Sequence, residues 1–249
     1  MTLWLLGYPD QALKRGEEAM ALAREGTDHL SLAFALRYYA NIQHWRRDAP
    51  ATQRCAEALL QLAVEQGVSF WLAGGMALRG WALAAQGRGA EGAAQIREGI
   101  DALRSTWVEL RRPFHLSLLA ETLEAGGQIE EGLAVVAEAL DVIEATGERV
   151  YEAELQRLRG ELLLRRAAGE GQPLRAEAEA CLRRALDVAR RQGAKSLELR
   201  AALSLARVPR GRRERTESRR LLAETFGWFT EGWDTPDLRE AREFLEGSR

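Results

Sequence analysis

Three columns of residues recur along the 249-residue chain at a step of about forty, and this self-similarity constrains the fold more than any motif in it. A small-residue column runs Ala40, Gly80, Ala120 and Gly160 at steps of 40, with Ala206 following after a step of 46. A helix-stop column runs Gly26, Gly67, Trp107, Gly147 and Gly193. A turn column runs Gly7, Arg47, Gly87, Gly127 and Gly211. The cleanest copy is Pro113 to Gly147, where two amphipathic stretches, PFHLSLLAETLEA and IEEGLAVVAEALDVIEA, flank Gly126-Gly127. Such a helix pair cannot bury its apolar face alone, so successive copies must stack into an all-α array.

The spacing predicts a truncated first repeat at 1–28, repeats at 29–68, 69–108, 109–147, 148–194 and 195–226, and a C-terminal cap at 227–249. Glycines 74, 75, 80, 92 and 99 weaken the helices of the 69–108 repeat by about 1 kcal/mol each relative to alanine. Close helix approach accounts for Gly80 and Gly92, but no column explains Gly74 or Gly75. The six extra residues of the 148–194 repeat are expected in an enlarged turn at Gly169–Pro173. Leu3, Trp4 and Leu6 look like the end of a first helix whose apolar face has no neighbour. That half-repeat suggests the tail of a longer protein, or a surface through which two chains pair as a homodimer.

Apolar residues make up 46% of the chain and charged residues 29%, with a net charge of -2. That balance gives no reason to expect nucleic acid or an anionic membrane as a partner. Apolar runs fall far short of the roughly 20 residues of a membrane helix, and no secretion signal opens the chain, so a cytoplasmic location is expected. Cys55 and Cys181 belong to different repeats and suggest neither a disulfide framework nor a metal motif.

Small residues recur in the second helices too, at Ala12, Thr52, Gly92, Gly132 and Ala178, and at Ala19, Gly99, Ala139 and Ala185, with Leu59 the large exception. Two helices per unit with these columns resemble the tetratricopeptide repeat, whose usual period of about 34 is exceeded here by nearly a turn per helix. HEAT-like repeats share a period near 40, but no first helix here carries the internal proline usual in them. The resemblance implies a right-handed superhelical solenoid of about five and a half TPR-like helix pairs with a C-terminal capping helix.

Segments 3–13 (LWLLGYPDQAL), 80–88 (GWALAAQGR), 127–140, 151–164, 189–207 and 227–245 (GWFTEGWDTPDLREAREFL) are similar to the C-terminal repeat region of bacterial multidomain signal-transduction ATPases. In that family a class III adenylate or guanylate cyclase domain, or a DNA-binding domain, precedes an ATPase module and then the repeats. Trp107 departs from the family's glycine. The resemblance implies a non-catalytic interaction scaffold, a sensor or docking arm that binds a protein or peptide or its own upstream ATPase or cyclase module. In the alternative, catalytic activity assigned to the whole protein extends to this segment. A third reading is a stand-alone adaptor that self-associates through its half-repeat.

No catalytic signature accompanies the columns. Gly87-Arg88-Gly89-Ala90-Glu91-Gly92 has the glycines of a phosphate loop without its lysine. His29, His44 and His115 fall on different helices without metal-ligand spacing, and no cofactor is expected. The run 207–220 holds seven arginines against Glu214 and Glu217, lacks interleaved aromatics for base stacking, and reads as a solvated inter-helix segment. In tetratricopeptide arrays the first helices line a concave binding face. Carried onto this sequence, that face is Phe34, Arg37, Asn41, His44, Trp81, Phe114, Ser117, Glu121 and Glu124, then Glu154, Arg157 and Glu161. Arg37 with Asn41 repeats half of a carboxylate clamp, which Leu78, Phe114 and Leu118 fail to complete.

Overall fold

The computed structural model describes residues 1–104, 111–170, 172–208 and 211–247, which form thirteen helices and no strand. Helices α1 (Thr2–Leu5) and α2 (Pro9–Glu25) precede five helix pairs. These are α3 (His29–Trp45) with α4 (Ala49–Gln66), α5 (Ser69–Ala85) with α6 (Gly89–Arg104), and α7 (Arg112–Ala125) with α8 (Ile129–Thr146). Next come α9 (Glu152–Glu170) with α10 (Gln172–Gln192), and α11 (Lys195–Arg207) with α12 (Arg212–Phe226), before the last helix, α13 (Pro236–Gly247). Within each pair the two helices pack together, and first helices also touch across a repeat, α3 on α5, α5 on α7 and α9 on α11, consistent with an α-solenoid. No helix among the described residues is long and apolar enough to cross a membrane.

Caps set the helix boundaries. The Asp28 carboxylate accepts from the amides of Leu30 and Ser31 at 3.1 and 3.0 Å, and Asp48 accepts from Ala51 at 2.9 Å, occupying donors that the first helical turn leaves over. In the stop column Gly67, Gly147 and Gly193 take left-handed backbone, φ +66°, +74° and +64°, which ends a helix at no steric cost to glycine. Trp107, in the same column, lies outside the described residues. In the turn column Arg47 adopts φ +56° where its equivalents Gly7, Gly87 and Gly127 do so freely, whereas Gly211 keeps a negative φ.

The chain forms two compact units, one of Met1 with Gln11–Glu148 and one of Thr2–Asp10 with Arg149–Arg249. In the first, the small-residue columns allow backbone-to-backbone approach: a Cβ on Gly80 would sit 2.6 Å from the Gly92 carbonyl, and one on Gly99 2.9 Å from that of Ala73. Leu59 is fully buried, in a cluster with Leu36, Leu62 and Trp71. The core of the second unit gathers Leu182, Leu199, Leu222 and Leu238 from α10 to α13.

Two expectations are corrected. The extra residues of the fifth repeat do not make an enlarged turn; they lengthen α9 to 19 and α10 to 21 residues. Pro173 falls in the first turn of α10, where no N–H is required of it, so it starts a helix rather than interrupting one; Gly171 lies outside the described residues. Nor is the opening half-repeat left uncovered at Trp4, which is 2% exposed within the second unit. There Ser196 Oγ donates to the Trp4 carbonyl at 2.5 Å and the Arg200 guanidinium lies 5.0 Å over its ring. The loop after α12 holds the following residues. Tyr8 packs on Trp228 at 5.3 Å, the Asp10 carboxylate accepts from the Gly232 amide at 2.8 Å, and Pro9 occupies the space a Cβ on Gly232 would need.

Candidate functional site

The face anticipated from the first helices falls into two groups, one in each unit. In the first unit the heptad-like spacing of α3 puts Phe34, Arg37, Asn41 and His44 on one side of the helix. Phe34 is the exposed end, stacked on Tyr38 with ring centroids 6.2 Å apart and edge-on to Trp71 at 4.6 Å. Deeper along the same side the groups are buried. Asn41 is fully enclosed and Arg37 nearly so. The His44 ring meets Trp81 of α5 edge-on at 4.4 Å and Phe114 of α7 at 5.8 Å, while its Nε2 stands 3.6 Å from Glu121 Oε2. Ser117 turns its hydroxyl back onto the Phe114 carbonyl at 2.7 Å. Glu121 and Glu124 stay partly exposed.

His115, which no column of the repeat groups with His44, completes this cluster. Arg37 Nη2 and His115 Nε2 lie 3.0 Å apart. Complete burial, and the guanidinium groups of Arg37 and Arg111 beside it, hold His115 well below the usual imidazole range. The ring is therefore neutral, accepts from Arg37 at Nε2 and carries its proton on Nδ1. Both guanidinium groups also lie over the Phe114 ring, at 5.7 and 6.0 Å, and Arg111 reaches the Tyr38 ring at 5.3 Å. Arg111 does so from a left-handed backbone, φ +69°, its amide held by Glu148 at 2.8 Å. Buried polar atoms that no described group satisfies include both amide atoms of Asn41, Nδ1 of His44, Nδ1 of His115 and Nη1 of Arg111. Each such atom costs about 1–3 kcal/mol in a closed protein.

Gly74 has its explanation in this cluster. A Cβ there would collide with Nη1 of Arg37, so the glycine is the hollow in α5 that the guanidinium fills. Gly75 faces Leu60 and the Ala56 carbonyl, a helix-packing contact. The sequence held a signal for the first of these. Gly74 stands one 40-residue step from Phe34 and from Phe114, where the neighbouring repeats carry a large ring.

In the second unit, Glu154, Arg157 and Glu161 belong to an internal ion network. Arg157 grips Glu154 through two bonds, 2.8 and 3.1 Å, and reaches Glu161 at 3.7 Å. Arg200 joins Glu154 at 3.5 Å and Asp237 at 2.7 Å while covering Trp4. Burial works against the charge on Arg200, but Asp237 and Glu154 outweigh it and raise its pKa above the usual value. Among the described residues no group of three or more His, Cys, Asp or Glu side chains is arranged to hold a metal ion.

Fold and site together define a protein of consecutively paired helices with aromatic and charged side chains collected on its first helices. No family model matches the chain. Over 210 residues, 82% of the chain, it is 30% identical to an uncharacterized protein of Rhizobium meliloti strain 1021, and it spans 19% of that relative's length.

Proposed function

We propose that the chain is a non-catalytic scaffold, a right-handed superhelical array of tetratricopeptide-like repeats that binds a protein or peptide. The observation that carries this reading is the joint face of α3, α5 and α7. Phe34 and Tyr38 offer exposed rings at one end, Glu121 and Glu124 offer carboxylates at the other, and polar atoms of Asn41, His44 and His115 that no described group satisfies lie buried between them. Aromatic anchors beside a few placed polar groups suit an extended or helical peptide. In the regulatory form of the proposal this face belongs to the sensor or docking arm of a cytoplasmic signal-transduction ATPase or cyclase-type regulator. It acts by binding two states of a partner module with different affinity. The alignment with 19% of a longer relative supports the idea of an arm.

Two titrations test it. Peptides selected from a random library on the intact chain are expected to lose binding about tenfold or more to the Phe34→Ala chain, as a truncated anchor would cause. Enrichment of no sequence, or equal binding by the variant, would contradict the proposed face. Magnesium-ATP and magnesium-GTP are expected to show no saturable binding and no turnover; micromolar binding or hydrolysis would overturn the scaffold reading.

A further inference from the structure

The described side chains of the 207–220 run divide between two cavities, and one of these is lined by charge of one sign. Helix α12 carries three carboxylates, Glu214, Glu217 and Glu224, and all three line a cavity of about 370 Å³ on its α10 side, together with Arg220 and with Arg183, Asp187 and Arg190 of α10. On its other side, between α11, α12 and α13, lies a larger cavity of about 510 Å³. Its described charged lining is Arg207, Arg215 and Arg219, with no carboxylate, and its apolar walls are Ala206, Val208 and Phe244.

The three guanidinium groups are not equally engaged. Arg207 Nη2 meets Glu240 at 3.1 Å outside the cavity lining. Arg219 donates from Nη2 to the Leu245 carbonyl, while its Nη1 has no described partner. Arg215 is exposed and makes no ion pair with any described residue. The backbone adds to the same sign. The first turn of α12 begins at Arg212, has no side-chain cap and holds one acid, Glu214, which faces the other cavity. A helix start prefers negative charge, so Arg215 in that first turn opposes the local rule. A bound anion would relieve that opposition.

We propose that the cavity between α11, α12 and α13 binds a small amphiphilic organic anion, its phosphate, carboxylate or sulfonate head against Arg215 and Arg219 and its apolar body against Val208 and Phe244. A volume of about 510 Å³ lies in the range of small-molecule sites. This site is separate from the face of α3, α5 and α7, and neither proposal depends on the other.

The full chain is titrated with 1-naphthyl phosphate, with inorganic phosphate and with 1-naphthol, each followed by calorimetry. The expected result is one saturable site for 1-naphthyl phosphate, with both partial probes about tenfold weaker or worse. Arg215→Gln is expected to weaken the intact probe about tenfold, as loss of a charged hydrogen bond does, and Arg215→Lys to restore part of it. Arg215 is exposed, so its variants keep the fold, which an unchanged melting midpoint verifies. Equal affinity for 1-naphthol would reduce the site to apolar adhesion and overturn the proposal. Unchanged binding in Arg215→Gln, or the absence of any saturable site, would overturn it as well. So would duplex DNA that displaces the probe in an Arg215-dependent way, since it would make the patch a nucleic-acid contact.

Discussion

Arg37 on α3 and Arg200 on α11 are both buried arginines set over an aromatic ring, and their surroundings differ in kind. Arg200 has two carboxylates, Asp237 and Glu154, on it, and it lies over Trp4 of the first helix. Arg37 faces a neutral histidine, shares the Phe114 ring with a second guanidinium, and stands among polar atoms of Asn41, His44 and His115 that no described group satisfies. A buried charge with its counter-charges in place fixes a structure. A buried polar set with unused donors and acceptors carries a standing cost that a partner's groups could remove. The first arrangement is a fastening within the second unit, and the second is the better place to look for recognition.

The largest expected effect is on the fastening. Arg200→Met takes the guanidinium from buried Asp237, leaves Glu154 with Arg157, and should cost about 3–5 kcal/mol in urea unfolding. It should also free residues 2–10 to exchange their amide hydrogens faster. A loss below about 1 kcal/mol would mean that Asp237 and Glu154 are hydrated and that Arg200 fastens nothing.

Next in size is Gly74→Ala, which puts a methyl group where the Arg37 guanidinium lies. Overpacking of this kind costs about 1–3 kcal/mol, against the gain of about 1 kcal/mol that alanine brings to a helix. Gly89→Ala, whose Cβ would meet nothing within 4 Å, is the control and should not destabilise. Equal effects at the two glycines would remove the reason given for Gly74.

Acid sharpens the contrast further. His115 stays neutral in the fold far below its ordinary value of 6.5, whereas the unfolded chain protonates it near that value. As pH falls below about 6.5 the unfolded state binds the extra proton first, so stability declines by up to about 1.4 kcal/mol per pH unit until the folded ring titrates. Urea midpoints at pH 7.5 and 5.5 should therefore separate in the native chain and draw together in His115→Gln. An identical pH slope in the variant would place the acid sensitivity elsewhere. The smallest effect is expected at the turn column, where Arg47→Gly should gain about 1 kcal/mol or less by relieving the left-handed backbone of a non-glycine residue.

The repeat arithmetic was legible because it reports backbone needs. Glycine at 67, 147 and 193 marks left-handed helix ends, and Gly80 with Gly92 marks close approach. Helix length was less so: Pro173 and Gly169 read as a loop, whereas α9 runs through Gly169 and α10 takes Pro173 in its first turn. The candidate face was half legible. Column positions gathered Arg37, Asn41, His44 and Phe114, but depth is a property of neighbouring repeats, and nothing local distinguishes an enclosed Asn41 from a solvated one. His115 was missed because it sits one residue beside the column residue Phe114. Within the second unit, residues 7–10 pack on 228–232, which lie more than two hundred positions away, and no periodic pattern carries that information. The two segments looked distinctive in sequence, and their shared packing is a reason for it.

Asn41 offers the most direct test of the contrast. The Asn41→Leu chain keeps the side-chain size and removes a fully buried amide that no described group satisfies. Replacing such a group by an apolar one of similar shape is neutral or stabilising. Urea unfolding should therefore give the variant a stability equal to or above that of the native chain, together with weaker binding of any selected peptide. A loss of about 2 kcal/mol or more, with peptide binding unchanged, would show that Asn41 is a satisfied structural residue and that this face is not where the protein recognises its partner.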